Sequence, residues 1–166
     1  MIEDFERDES FEALKGAPVG SPGNFRAAYE VKGHPGWIIK ESLKSHEANW
    51  TEFIVFRSLE NESVQALFGH VLAISRTGRF LIMERLDNLT NQQVDQRPPP
   101  PFWLTDRKIS GWGAAPTTGV IKIRDYGTLA LGRTLGSAPT TALPSEKDRE
   151  AARGLLDTIN QMNKGD

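Results

Sequence analysis

Four consecutive prolines, Pro98 to Pro101, constrain this chain more than any other feature. A proline ring fixes φ and removes the backbone N–H, so the run is extended and no helix crosses it. Whatever stands before the prolines has to be joined through a stiff spacer to whatever stands after them. We read the run as that spacer rather than as a ligand for an SH3-type domain. At 166 residues the chain is about one domain and is large enough to bury a core.

Before the prolines the pattern is that of strands interrupted by a helix. Residues 1–15 suggest a short acidic helix, with Ser10 as a capping residue and Gly16 as its end. GAPVGSPGNF, 16–25, reads as a loop. FRAAYEVK, 25–32, and WIIKES, 37–42, flank the turn KGHPG and predict a hairpin. HEANWTEFIVFRSLE, 46–60, follows Ser45 as N-cap and places Ala48, Glu52, Val55, Phe56 and Leu59 at helical spacing. Glu52 is an acid on an apolar stripe, so it needs a partner or a place at the rim. HVLAIS, 70–75, and RFLIMERL, 79–86, predict a second hairpin around Arg76-Thr77-Gly78, its second strand apolar and buried. The polar stretch DNLTNQQVDQR then leads into the prolines.

After the prolines, FWLTDRKISGWG, 102–113, reads as loop and VIKIRD, 120–125, as a strand ending in an acid, an aromatic ring and a glycine. Trp103 and Trp112 flank the loop and are expected to pack it down. Residues 128–144 carry little charge and much Gly, Pro and Thr. A final helix is expected from about 146 to 163, with Ser145 and Asp148 as a capping-box-like pair and Ala152, Leu155, Leu156, Ile159 and Met162 on one apolar face.

Composition narrows the function classes. With 38% apolar and 25% charged residues the chain reads as globular rather than disordered. A net charge of −2 gives nucleic-acid binding no global electrostatic support. No apolar run approaches the ~20 residues that span a bilayer, so no membrane partner is expected. The N-terminus lacks the apolar core of a signal peptide. The absence of cysteine excludes disulfides, thiolate catalysis and Cys-type zinc sites. His34, His46 and His70 are isolated, which disfavours a zinc site built on histidines. A cytoplasmic location is the default expectation, and the sequon Asn61-Glu62-Ser63 then reads as chance.

The order of these pieces resembles the protein-kinase-like superfamily, from about Gly20 to Gly127. GSPGNFRAAYEV is similar to the glycine-rich loop with its two strands, Gly20 and Gly23 belonging to the loop. WIIKE is similar to the strand that carries the phosphate-binding lysine, which would be Lys40, and Glu52 resembles the helix glutamate that pairs with it. FLIMERL looks like the last N-lobe strand running into the hinge at Glu84–Leu86. LTDRKISGWG resembles the catalytic loop, with Asp106 in the base position and Lys108 two residues on. RDYG resembles the Asp-Phe-Gly element, with Asp125 as metal ligand and Tyr126 replacing Phe.

The resemblance implies an α+β fold. It would consist of a kinase-like N-lobe, an antiparallel sheet with one helix, and a minimal, truncated C-terminal part. Residues 1–15 would be an extension and 16–89 the N-lobe. Residues 90–144 would hold the connector with the catalytic-loop and Asp-Tyr-Gly segments, and 145–166 the last helix. It also implies ATP and Mg²⁺, since a held amine neutralises phosphate charge and Mg²⁺ prefers carboxylate and phosphate oxygens. The departures are as informative. Leu104-Thr105 replaces His-Arg, Gly111 stands where a second metal ligand is expected, and Pro22 interrupts the glycine loop. Only about 40 residues follow Asp125. Two functions are therefore expected. The first is a reduced kinase-like domain that binds ATP–Mg²⁺ with possible phosphotransfer. The alternative is an inactive pseudokinase-like module that binds and modulates another, unidentified protein. The apolar face of the last helix is expected to pack back on the strands around Asp125 or on a second copy of the chain. So compact a domain is the sort a phage or mobile element would encode.

Overall fold

The computed structural model describes residues 2–101, 104 and 107–127. The expected helix over 146–163, the segment 128–144, Trp103 and Asp106 lie outside the described residues.

Five strands, β1 (Lys15–Pro18), β2 (Arg26–Val31), β3 (Trp37–Ser42), β4 (Val71–Ile74) and β5 (Phe80–Glu84), form one antiparallel sheet in the order β1-β2-β3-β5-β4. A helix, α2 (Glu47–Ser58), connects β3 to β4, and a shorter one, α1 (Asp8–Leu14), precedes β1. A second sheet has two strands, β6 (Trp112–Ala114) and β7 (Ile121–Ile123). The fold class is α+β, as expected. No helix among the described residues is long and apolar enough to cross a membrane.

Strand alternation sends successive side chains to opposite faces of the sheet. Ile38, Leu81 and Met83 point to one face, where Trp50, Phe53, Ile54, Val55 and Phe56 of α2 complete the core. Ile39, Phe80 and Ile82 point to the other, where Phe11 of α1 stacks on Phe80 with ring centroids 6.2 Å apart. The residues before α1 reach α2 as well. Phe5 packs on Trp50 and Phe53 and Asp4 pairs with Arg57, while Asp8, the first residue of α1, accepts from the Thr77 hydroxyl in the β4–β5 turn.

Several expectations need correction. Residues 16–25 are not all loop: 16–18 belong to β1, the edge strand, where proline is tolerated. Gly16 eases the pairing there, since a Cβ would lie a tight 3.1 Å from the Glu30 carbonyl oxygen. Residues 102–113 are not all loop either, since Trp112-Gly113-Ala114 pairs with β7. Two of the expected helices, over 1–15 and 46–60, fall among the described residues, which hold four. Besides α1 and α2, α3 (Glu62–Gln65) is capped by Asn61, the residue of the sequon, and α4 (Asn91–Asp95) by a Thr90–Gln93 capping box. Ser45 is not the N-cap of α2. His46 holds that position and caps with no side-chain bond, while Ser45 Oγ accepts from the Glu47 amide at 3.2 Å.

The β6–β7 hairpin docks on two segments of the larger unit. Asp87 and Ala114 exchange two backbone hydrogen bonds of 2.9 Å, and Ile123 bonds to Leu67 and Gly69 through its N–H and C=O. A Cβ on Gly113 would stand 2.6 Å from that of Leu86. This close seat delivers residues 124–127 to the N-terminal half of α2.

Candidate functional site

The ladder between β2 and β3 pairs Ala28 with Lys40 and Arg26 with Ser42. Arg26 and Lys40 are therefore diagonal neighbours on one face of the sheet, the face that α2 covers. Glu52 rises from α2 to meet both. Lys40 Nζ lies 3.1 and 3.0 Å from the two Glu52 oxygens. Arg26 lies 3.0 and 2.9 Å from the same two oxygens through Nη2 and Nη1. The Tyr126 amide donates to Glu52 Oε1 at 3.0 Å. Glu52 has no exposed surface. The acid on the apolar stripe is thus a buried carboxylate with two cations and an N–H around it, which is what its burial demands.

The segment after β7 brings the fourth charge. Arg124 and Asp125 both donate their amides to the Gly111 carbonyl, at 2.8 and 3.2 Å, and the Arg124 carbonyl accepts from Lys40. Asp125 then pairs with Arg26. Tyr126 is wholly buried, its ring edge-on to Phe68 and its hydroxyl donating to the Gly69 carbonyl at 3.0 Å. Gly127 passes so close to α2 that a Cβ would be 2.8 Å from that of Ala48. Acid, ring and glycine therefore have separate tasks. The glycine permits the approach, the ring pins the segment, and the acid reaches the cluster.

Among these four side chains Glu52 is inaccessible, Lys40 and Arg26 are 10% and 15% exposed, and Asp125 is 50% exposed. Burial lowers the pKa of Lys40 against the pull of Glu52. Burial also opposes the charge on Asp125, but Lys40 and Arg26 outweigh it and hold the carboxyl below its ordinary value. For Arg26, Glu52 and Asp125 outweigh burial and keep the guanidinium charged.

The remaining expected site residues lie around this cluster or apart from it. Gly20, with φ +67°, and Gly23 sit in the exposed β1–β2 loop, and the Gly23 amide donates to the Arg26 carbonyl at 2.9 Å. Glu84 is engaged by Lys122 at 2.8 Å and by the His70 amide at 3.0 Å, and takes no part in the cluster. Leu86 is buried, and its carbonyl accepts from Arg124 Nη1 at 3.0 Å. Lys108 is exposed at the start of a 3₁₀ turn, Ile109–Gly111. Trp112 is buried in the core as expected, and Asp106 lies outside the described residues.

Arg26 was not among the expected residues. Its signal was its parity with Lys40, which becomes visible only when the hairpin register is known. Its presence bears on Mg²⁺. The two Glu52 oxygens and Asp125 Oδ1 already face cations, and Gly111 brings no donor. Among the described residues no three His, Cys, Asp or Glu side chains converge. Two cations and two carboxylates sum to zero, so these four side chains leave no unmatched carboxylate charge for a divalent ion. These residues do not fit a Mg²⁺ site. No family model matches the chain, and no curated protein does.

Proposed function

We propose that the chain is a reduced protein-kinase-like domain and that its charged cluster receives the phosphates of a nucleotide, ATP in the first instance. The observation that carries this reading is the Lys40–Glu52 pair, 3.0 Å apart, joining the middle of a β1-β2-β3-β5-β4 sheet to the helix inserted after β3. An amine fixed by a buried carboxylate is held where it can neutralise phosphate charge without first being ordered. Asp125 reaches the same point from a hairpin separate in sequence, as the resemblance implies. The reading is one of binding rather than phosphoryl transfer. Gly111 supplies no donor, and the carboxylates are already matched by cations.

Titrating ATP while following thermal unfolding tests it. The wild type should gain a saturable rise in Tm, and Lys40→Met should weaken apparent affinity at least tenfold. In that variant Arg26 still accompanies Glu52, so the fold is expected to survive. No shift with ATP, ADP or GTP rejects the reading.

A second reading, a pseudokinase-like module that binds another protein, is favoured by one feature. Phe25 and Leu43 are 64% and 47% exposed and adjacent, the Leu43 amide donating to the Phe25 carbonyl at 2.7 Å. Together they make an apolar spot beside Arg26.

A further inference from the structure

We propose that Arg26 is the built-in cation of this cluster, bridging Glu52 and Asp125 in place of a divalent ion, so that nucleotide phosphate is bound without metal. The inference rests on the nucleotide reading for its ligand, but its core, a tethered cation in place of a metal, can be tested without nucleotide.

Three observations carry it. Arg26 contacts both carboxylates at once, meeting Glu52 with two nitrogens at 2.9 and 3.0 Å and Asp125 with Nη2. A planar guanidinium has donors enough for both, which a lysine at the same place would not arrange in one plane. The position is also fixed by the sheet. Residue 26 lies on the α2 side because it is two residues from Ala28, the partner of Lys40. Lastly, the cluster is neutral as it stands, with two cations against two carboxylates. Between Glu52 and Asp125 the place a divalent ion would take is already filled by a guanidinium that is 15% exposed and bonded on both sides.

The two contacts of Arg26 differ in how readily they exchange. Glu52 is inaccessible and cannot leave. Asp125 is half exposed and can. An incoming phosphate offers anionic oxygens to the same guanidinium donors as the Asp125 carboxylate and competes with it for Arg26. Asp125 then acts as a stand-in for the ligand, held in the site until phosphate arrives. That inverts the role the resemblance implies. A metal ligand is essential to nucleotide binding, whereas a competing carboxylate opposes it.

The sign of one substitution separates the two. ATP binding is measured calorimetrically for the wild type and Asp125→Asn, in EDTA and in Mg²⁺. Wild-type affinity should be as strong in EDTA as in Mg²⁺, and Asp125→Asn should bind at least as tightly as the wild type. A tenfold or greater requirement for Mg²⁺, abolished together with binding in Asp125→Asn, overturns the proposal. A second measurement uses Mn²⁺ alone, followed by its electron paramagnetic resonance signal. The wild type should show no site that Asp125→Asn removes, and finding one overturns the proposal whatever ATP does. If ATP binds under no condition, the nucleotide reading fails, and the Mn²⁺ result alone decides whether Arg26 replaces a metal.

Discussion

Glu52 and Asp125 are both acids facing Arg26 and Lys40, yet they differ in what their removal should cost. Glu52 is wholly buried and compensates two buried cations. Glu52→Gln leaves those cations with only the half-exposed Asp125, and should cost about 3–5 kcal/mol in urea unfolding. Asp125→Asn removes a partly solvated partner from an arginine that keeps Glu52, and should cost about 0–1 kcal/mol. Equal losses would mean that the two acids are not placed as described. Three of these four residues were legible in the sequence. Lys40 stands in an apolar strand and Glu52 on an apolar helix stripe, where burial makes an ionisable group conspicuous, and Asp125 stands between an alternating apolar run and an aromatic ring with a glycine. Arg26 was not legible, because an arginine opening a strand beside a polar loop looks like any exposed cation. Only the pairing of Ala28 with Lys40 turns it inward.

At the scale of elements, the seven residues of α1 are too few to be stable alone, so its helix depends on the sheet beneath. Phe11 is the contact that matters, fully buried and stacked on Phe80. Phe11→Ala should cost about 3–5 kcal/mol by chemical denaturation. A loss under about 1 kcal/mol would show that the segment only rests on the surface. The central strands and α2 were readable within a few residues, since their apolar patterns are long. Strand β1 was not, because Lys15-Gly16-Ala17-Pro18 has loop composition, and its pairing with β2 comes from the fold rather than from a local apolar pattern. For β6 the reason is similar. Three residues show no period, and Gly113 is there for contact with Leu86. The stripe expected on α2 also understates its burial. Trp50 and Phe53 are covered by Phe5 from the N-terminal segment, a contact no local pattern encodes.

For the whole molecule, two ion-paired carboxylates, the half-exposed Asp125 and the buried Glu41, make stability respond to acid. Burial works against the charge of Asp125, and Lys40 and Arg26 outweigh it. Burial likewise works against Glu41, and hydrogen bonds from Lys15 and Arg79 outweigh it. Both carboxyls therefore titrate below their unfolded values. Their contribution is fully present above the unfolded carboxylate pKa of about 4 and is lost as pH falls through the lower folded values. Urea unfolding followed from pH 7 to 2 should show stability falling below about pH 4. Stability that rises on acidification through this range would contradict the two placements.

The cluster ties together β2, β3, α2 and the segment after β7, and the central claim is that this junction receives nucleotide phosphate. Amide chemical-shift mapping tests it most directly. Titrating ATP into labelled protein should shift, saturably, the resonances of Arg26, Lys40, Glu52, Asp125 and Tyr126. Those of Phe11 and Leu14 in α1, packed against the opposite face of the sheet, should stay in place. Shifts confined to that opposite face, or none at all at saturating ATP, would contradict the claim.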